Sequence, residues 1–354
     1  MMKKALIAMS GGVDSSVAAY LTRESGYSCI GCTMKLYGNA DAGISEKHTC
    51  CSLDDVEDAR SVAYRLGMPY YVFNYAEGFR EKVMLPFAEA YCSGRTPNPC
   101  IECNRCMKFD ALFRRAEELG CEVLVTGHYA RIEQNGDKFL LKKAADETKD
   151  QSYVLYAMTQ RQLAHTLFPL GGMKKSETRS IAEAQGFLNA HKKDSQDICF
   201  APDGDYAAAV ERMTGKTCEP GDFVLTDGTV IGRHRGIIHY TVGQRRGLGV
   251  SYKESLYVCR IESEQNRVVL GTEKELYRQE MHVSDVNWIS GETPTEPVRC
   301  AVKIRYRHKE KSAVVCPEGS GAYVKFDEPL RAIAPGQAAV FYDGDVVLGG
   351  GTID

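Results

Sequence analysis

The sequence predicts an α/β protein: a doubly wound parallel sheet comes first, and a region of short β-strands follows. Over the first 190 residues, short apolar runs alternate with amphipathic segments. This alternation is typical of a parallel sheet that is covered by helices on both faces. From about residue 200 onwards, short β runs bounded by glycine take over. The change in pattern predicts at least two structural units.

The individual elements follow from apolar runs and from the residues that end them. Strands are predicted at 5–9, 28–34, 69–73 and 122–126, and helices at 14–24, 53–67 and 107–119. The helices end next to Gly26, Gly67 and Gly120, because glycine adopts the left-handed conformation that closes a helix. Further strands are predicted at 222–225, 257–261 and 267–270, a linker at 291–297, and a hairpin at 341–347 around Asp343-Gly344.

Composition sets the broad class. The chain has 354 residues, of which 44% are hydrophobic and 26% charged, so it is neither disordered nor fibrous. Apolar runs stay well short of the ~20 residues that span a bilayer. The first residues hold two lysines but no signal-peptide core. We therefore expect a cytoplasmic protein with no membrane contact, in which the 14 cysteines are reduced.

Charge is close to balanced, with 44 basic and 47 acidic residues and a net charge of −3. Basic residues nevertheless cluster at 232–246 and 303–309. On a strand, Lys303, Arg305, Arg307 and Lys309 would project from one face, where they would suit the phosphates of a nucleic acid, and Tyr306 would offer a stacking surface. The alternative is a solvated strand face.

A glycine loop joins the first strand to the first helix. It has the sequence Ser-Gly-Gly-Val-Asp-Ser-Ser over residues 10–16. Gly11 and Gly12 let the backbone approach a ligand closely, and the helix N-terminus offers unpaired N–H groups to an anion. No lysine follows the glycines, so this is not a Walker A loop. The alternative is a tight turn that Asp14 caps.

Cysteines give the second signal. Cys100, Cys103 and Cys106 follow Pro97 and Pro99, and we expect a helix to begin near Cys106. At a helix start beside Arg105 and Lys108, Cys106 should have a lowered pKa and be reactive. The same spacing is also that of iron–sulfur ligands, with Cys199 as a further candidate. We expect a structural role for Cys50 and Cys51 and no reactivity for the remaining cysteines, Cys29, Cys32, Cys92, Cys121, Cys218, Cys259, Cys300 and Cys316.

Taken together, the motifs resemble those of a known family. The glycine loop resembles the pyrophosphate loop of the ATP pyrophosphatase (PP-loop) superfamily. The strings TPNPC at 96–100, TGHYAR at 126–131, KDQSY at 149–153, DSQDICF at 194–200 and GQRRGLG at 243–249 resemble the tRNA-specific 2-thiouridylase family. The resemblance implies a Rossmann-like doubly wound PP-loop ATPase domain at 1–200, a small β-rich central domain at 201–280, and a C-terminal, tRNA-binding β-barrel at 281–354.

The resemblance also implies an activity. Family members replace O2 of the wobble uridine by sulfur in tRNAs for Lys, Glu and Gln. They use ATP with Mg²⁺ to adenylate the C2 carbonyl oxygen and take sulfur from a cysteine persulfide. The implied partners are tRNA and a cysteine desulfurase or sulfur-relay protein. Three alternatives stay open: an amide ligase of the same loop type, a thiolase that uses cluster-bound sulfide, and an iron–sulfur RNA-binding protein without turnover.

Residue roles follow from the same resemblance. Cys199 would carry the persulfide, and Cys103 would be the nucleophile that closes a disulfide with Cys199 as sulfur leaves. No residue is assigned as a metal ligand. The expected ATP-binding residues are Ala8, Met9, Ser10, Gly11, Gly12, Val13, Asp14, Ser15, Met34 and Gly127. The expected tRNA-binding residues are Asn98, Pro99, Cys100, His128, Lys149, Asp150, Gln151, Arg305, Tyr306 and Gln337.

Overall fold

A parallel sheet forms the centre of the N-terminal half. The structure, a computed structural model, describes residues 2–38, 53–192, 198–201 and 203–354. The strands of this half are β1 Lys4–Ala8, β2 Ser28–Lys35, β3 Tyr70–Asn74, β4 Val123–Val125, β5 Arg131–Asn135, β6 Lys138–Lys142 and β7 Thr166–Leu167. Five of them pair in parallel in the order β3-β2-β1-β4-β7. The predicted parallel sheet is confirmed.

Both faces of this sheet are buried. Alternate residues of β1 point to opposite sides, so Leu6 joins one hydrophobic core, whereas Ala5 and Ile7 join the other. The two cores explain why β1 is a continuous apolar run rather than an alternating one. The α-helices of the described chain are Val13–Glu24, Leu53–Arg65, Ala76–Phe79, Leu85–Cys92, Pro99–Glu102, Phe113–Glu118, Gln160–Ala164, Lys175–Ala184 and Tyr206–Thr214.

Shorter helical turns complete the helical content. Residues Arg80–Met84 and Cys103–Leu112 are π-helical, and Ser152–Leu155, Ile237–His239 and Glu273–Leu276 are 3₁₀ turns. Within the described residues, none of the helices combines the length and the apolar character that crossing a bilayer would require.

The central region holds a small mixed sheet. Its strands are β8 Gly221–Leu225, β9 Val230–His234, β10 Tyr257–Glu262 and β11 Arg267–Gly271, in the order β10-β11-β8-β9. The helix Tyr206–Thr214, which precedes this sheet, was not predicted. Its signals were present, because the Asp205 side chain caps it by accepting from Ala208 N, and Gly215 ends it at φ +67°.

The C-terminal region closes into a six-stranded barrel. Its strands are β12 Tyr277–Trp288, β13 Val298–Lys303, β14 Lys311–Glu318, β15 Gly321–Arg331, β16 Ala338–Asp343 and β17 Val346–Ile353. They pair in the order β12-β15-β14-β13-β16-β17, and β17 returns to pair with β12. The predicted hairpin is confirmed, since Asp343 pairs with Val346 around Gly344 at φ +58°.

One hairpin of the N-terminal half extends the C-terminal sheet. Strand β6 pairs with β17, with Leu141 opposite Val347, and β5 pairs with the other edge of β6. Arg131 at the start of β5 donates to the Asp345 carboxylate at 2.8 Å. The barrel is therefore attached to the N-terminal half through strand pairing as well as side-chain packing.

The turn at Gly171 offers a test of how tightly this half is packed. A methyl group at Gly171 would lie 1.8 Å from the carbonyl oxygen of Ala130, whereas one at Gly172 would meet nothing within 4 Å. We expect Gly171→Ala to destabilise the protein by about 2 kcal/mol or more, because the backbone of Ala130 must move. Gly172→Ala is the matched control and should melt like the unchanged protein. Equal melting temperatures for the two variants, measured by circular dichroism, would contradict this packing.

Candidate nucleotide and sulfur-transfer site

The glycine loop leaves an open helix N-terminus at the carboxyl end of β1. Gly12 is the N-cap residue of the helix Val13–Glu24 and has no side chain that could cap it. Gly11 has φ +74°, and a Cβ there would lie 2.3 Å from the carbonyl oxygen of Asp55. Only glycine fits this close approach. The uncapped N–H groups and the positive end of the helix dipole can therefore bind an anion such as phosphate.

Asp14 connects this loop to two distant elements. Lys175 Nζ lies 2.7 and 2.8 Å from the two Asp14 carboxylate oxygens, and the Tyr129 hydroxyl donates to Oδ1 at 2.9 Å. Lys175 begins the helix Lys175–Ala184, so the loop that lacks a lysine of its own receives one from a later helix. The sequence pattern does not predict Lys175 as part of this site, because 161 residues separate it from Asp14.

The segment that follows the helix Lys175–Ala184 contacts the glycine loop and the residues behind it. Asn189 is buried, and its amide donates to Gly11 O and to Ser16 Oγ, both at 2.9 Å. Lys192 forms ion pairs with Asp55 at 2.5 Å and with Asp58 at 2.6 Å. Gly11 is thus fixed from two sides, by the Asn189 amide and by the backbone of Asp55.

The remaining expected nucleotide residues lie at the same edge of the sheet. Ala8 ends β1, Met34 is the last residue but one of β2, and Gly127 follows β4. A Cβ at Gly127 would lie 2.8 Å from the backbone of Asp14 and Ser15. These are the carboxyl ends of adjacent parallel strands, where open α/β sheets bind ligands.

The cysteine helix begins earlier than predicted. The prediction of a start near Cys106 is wrong, since helical backbone begins at Pro99 and continues through Cys103–Leu112 to Glu118. The Asn98 side chain caps it by accepting from Cys100 N at 3.1 Å. Pro99 occupies the first helical turn, where its fixed φ favours the helix and its missing N–H costs nothing. Cys103 is therefore inside a π-helical segment, a conformation that is frequent at functional sites.

The predicted lowering of the Cys106 pKa is also wrong. Burial and the neighbouring Glu102 carboxylate raise the pKa of Cys106, and Arg105 offsets only part of this. Burial raises the pKa of Cys103 to about 11, against the smaller opposing effect of the Lys108 ammonium. Both thiols are protonated at neutral pH in the protein alone.

Cys103 and Cys199 pack against the same hydrophobic core. Both side chains are half-buried, and Cys103 is a thiol, so the two are not joined by a disulfide. Among the residues that the structure describes, no three His, Cys, Asp or Glu side chains form a group that could hold a metal ion. The iron–sulfur hypothesis for Cys100, Cys103 and Cys199 therefore has no support in this geometry. Cys50, Cys51 and residues 194–197 of the DSQDICF string lie outside the described residues.

Several residues expected to contact tRNA also have structural partners. His128 is buried, and its Nδ1 atom forms a 2.7 Å hydrogen bond with Thr126 Oγ1. Burial lowers the pKa of His128 well below its usual range. The Asp150 carboxylate accepts from Ala144 N at 3.0 Å, and Gln151 Oε1 accepts from Tyr129 N. Lys149 lies in the same loop, half-buried. Their contacts with tRNA stay predictions.

The C-terminal barrel reaches the cysteine helix through one turn. Gln337 donates to the carbonyl oxygen of Thr96 at 2.6 Å, and Thr96 N donates to Pro335 O at 2.8 Å. Gly336 lies against the same residue, with a Cβ position 2.9 Å from Thr96 N. Thr96 is two residues before the Asn98 cap, so the barrel helps to place the start of the Cys103 helix.

The predicted basic strand face at 303–309 is wrong. Strand β13 ends at Lys303, and the chain then turns, so alternate residues no longer share a face. Arg305 Nη2 donates to Val242 O and Ala332 O, both at 3.0 Å, which joins the central region to the barrel. Arg307 is exposed, and Tyr306 is 38% exposed with its ring 6.0 Å from that of Tyr153.

An open, glycine-rich helix N-terminus at the carboxyl edge of a parallel sheet is the phosphate-binding arrangement of α/β nucleotide-binding enzymes, the class to which the ATP pyrophosphatases belong. Matches to known families cover three consecutive parts of the chain: a tRNA methyl transferase HUP domain over residues 3–203, a tRNA methyl transferase PRC-barrel domain over 209–272, and an aminomethyltransferase beta-barrel domain over 278–353.

Full-length relatives are more specific. The tRNA-specific 2-thiouridylase MnmA of Clostridium acetobutylicum is 48% identical over 354 residues and covers 100% of both chains. That of Acetivibrio thermocellus is 49% identical and covers 99% of both chains. The chain belongs to the tRNA-specific 2-thiouridylase family. Among solved structures, an RNA complex of a 4-thiouridine synthetase with bound ATP covers 60% of this chain and 50% of that one at 22% identity, with a TM-score of 0.37, too low to carry an argument.

The raised pKa of Cys103 can be tested by alkylation. Because only the thiolate reacts, the rate of Cys103 modification by iodoacetamide should rise about tenfold per pH unit up to about pH 10 in the protein without tRNA. Peptide mass spectrometry with fragmentation separates Cys103 from Cys100, and Cys103→Ser removes the signal. A rate that levels off near pH 8.5, the ordinary range for cysteine, would contradict the burial that we describe.

Alanine variants of Arg305 and Arg307 form a matched pair that tests the structure found for the basic segment 303–309. Arg305→Ala removes two charge-assisted hydrogen bonds and should destabilise the protein by about 1.5–3 kcal/mol. Arg307→Ala should change stability by less than about 0.5 kcal/mol, because its side chain is exposed. Thermal melting of both variants is the measurement. A protein that tolerates Arg305→Ala as well as Arg307→Ala would show that Arg305 is not a structural link.

Proposed function

We propose that this protein is an ATP-dependent tRNA sulfurtransferase that converts the wobble uridine of tRNAs for Lys, Glu and Gln into 2-thiouridine. One observation carries the proposal: the chain is 48% identical, end to end, to a tRNA-specific 2-thiouridylase. The domain descriptions mention methyl transfer, but the full-length relatives cover every part of the chain, so the activity follows them.

In the first step, the C2 carbonyl oxygen of the uridine attacks the α-phosphorus of ATP, and pyrophosphate leaves with the electron pair of the broken P–O bond. The N–H groups around Gly12 and the hydroxyls of Ser10 and Ser15 bind the pyrophosphate oxygens. Mg²⁺ bound with ATP would neutralise part of the charge of its phosphates. Asp14 and Lys175 lie where this charge develops. Adenylation converts a poor leaving oxygen into AMP.

In the second step, the terminal sulfur of a Cys199 persulfide attacks C2, and AMP departs with its oxygen and the bonding electron pair. The Cys103 thiolate then attacks Cys199 Sγ, which forms a Cys103–Cys199 disulfide and leaves the outer sulfur on C2 with the electrons of the broken S–S bond. A thiol must reduce the disulfide before the next cycle. A cysteine desulfurase or a sulfur-relay protein supplies the persulfide.

The raised pKa of Cys103 fits this sequence of steps. A protonated Cys103 does not attack the Cys199 persulfide before tRNA is bound, so sulfur is not lost in an idle cycle. Its thiolate must then form within the tRNA complex, where Lys108 is the neighbouring cation.

The other regions would position the tRNA. We propose that residues 1–200 activate and thiolate the base, and that residues 201–280 and 281–354 bind the tRNA. Asn98, Pro99 and Cys100 lie against the target base in this proposal, while His128, Lys149, Asp150, Gln151, Arg305, Tyr306 and Gln337 contact the tRNA. The reaction takes place in the cytoplasm, where tRNA is found.

Cysteine variants test the two roles. Cys199→Ser should bind ATP and tRNA but accept no labelled sulfur, because serine cannot form an S–S bond. Cys103→Ser should accept sulfur on Cys199 and then fail to release 2-thiouridine. Sulfur labelling, nucleoside mass spectrometry and non-reducing peptide mapping are the measurements.

Cys92→Ser is the matched control, since Cys92 is exposed and has no role in the proposed steps. It should behave like the unchanged protein. Sulfur that still loads onto the Cys199→Ser protein, or a cycle that leaves no Cys103–Cys199 disulfide, would exclude the proposed roles.

A further inference from the structure

Tyr37 makes a hydrogen bond to the backbone of Cys199. Its hydroxyl donates to the Cys199 carbonyl oxygen at 2.7 Å, across 162 residues of sequence. The Tyr37 side chain is buried, with 3% of its surface exposed. Tyr37 follows β2 by two residues, and β2 carries Met34 at the edge of the nucleotide site. One hydrogen bond therefore joins the nucleotide-binding strand directly to the cysteine that we assign as the sulfur carrier.

An aromatic cluster fixes both partners of this bond. The Tyr37 ring lies 5.8 Å from that of Phe79, and Phe79 lies 5.9 Å from Phe200, the residue after Cys199. Phe200 is 1% exposed and also packs edge-on against Phe87 at 5.2 Å. Such edge-to-face pairs add to the stabilisation from burial alone. The backbone at Cys199 is thus held by Phe200 in the core and by the Tyr37 hydroxyl.

From this geometry we infer that Tyr37 is a positioning residue for sulfur transfer. It holds the Cys199 backbone near the carboxyl end of β2, so that a sulfur on Cys199 meets a base activated at the glycine loop. The inference rests on the proposed function. Tyr37 acts through Cys199 and exchanges no proton or sulfur itself. Small displacements of a reacting group reduce rates strongly, so a single hydrogen bond at this position affects the transfer step.

The positioning role of Tyr37 concerns sulfur transfer and does not concern adenylation. Adenylation uses the glycine loop, Asp14 and ATP, none of which needs the Tyr37 hydroxyl. Attack by the persulfide sulfur needs Cys199 in place. When Cys199 is misplaced, water attacks C2 of the adenylated uridine instead, AMP leaves, and uridine is regenerated. The expected signature is pyrophosphate released without 2-thiouridine formed.

The test is Tyr37→Phe, which keeps the buried ring and removes only the hydroxyl. The unchanged protein, this variant and a control are given tRNA, ATP, Mg²⁺ and a persulfide donor, and pyrophosphate and 2-thiouridine are both measured. We expect pyrophosphate release within about twofold of the unchanged protein and about five- to tenfold less 2-thiouridine per pyrophosphate. Sulfur loading onto Cys199 should persist.

Tyr70→Phe is the matched control. It removes a tyrosine hydroxyl from the neighbouring strand β3 that donates to Thr33 Oγ1 at 2.6 Å instead of to Cys199. Its ratio of 2-thiouridine to pyrophosphate should equal that of the unchanged protein. A similar ratio for Tyr37→Phe, or a parallel fall of both products, would overturn the positioning role. Failure of the proposed function itself would look different, because the unchanged protein would then make no 2-thiouridine.

Discussion

The candidate nucleotide site depends on the contacts that the Asp14 carboxylate makes. It lies in the first turn of the helix Val13–Glu24, whose open N-terminus can bind an anion, and it joins that turn to Lys175 and to Tyr129. A carboxylate at a helix N-terminus interacts favourably with the helix dipole. Because Gly127 also packs against the Asp14 backbone, the ends of β1 and β4 and the helix Lys175–Ala184 meet at this one residue. These contacts connect the glycine loop to two later parts of the chain.

A second constraint connects the barrel with the cysteines. Thr96 exchanges hydrogen bonds with Pro335 and Gln337, two residues before the cap of the helix that contains Cys103. A tRNA bound across both surfaces would contact a thiol whose backbone the barrel already helps to place. The pairing of β6 with β17 attaches the barrel at a second point. The barrel and the helix that contains Cys103 are thus parts of one connected framework.

The sequence predicted the structural elements that local residue patterns determine. The alternation of apolar runs and helices predicted the parallel sheet, since β1 is buried on both faces, and the two glycines predicted the tight turn that leaves the next helix N-terminus open. The predictions were wrong where the same residue type occurs in two different backbone conformations. The sequence predicted a helix start near Cys106, but Pro99 begins the helix, so Cys103 lies within helical backbone and Cys106 lies beyond its start. Lys175, Asn189 and Tyr37 could not be predicted, because their partners are more than 150 residues away.

The most direct test of the account is the analysis of tRNA that has been incubated with the purified protein, ATP, Mg²⁺ and a persulfide donor. Nucleoside mass spectrometry, combined with mapping of nuclease fragments, identifies the product and its position. The account predicts 2-thiouridine at the wobble position of tRNAs for Lys, Glu and Gln, formed only when ATP is present. Unmodified uridine at that position, or a methylated nucleoside in its place, would contradict it.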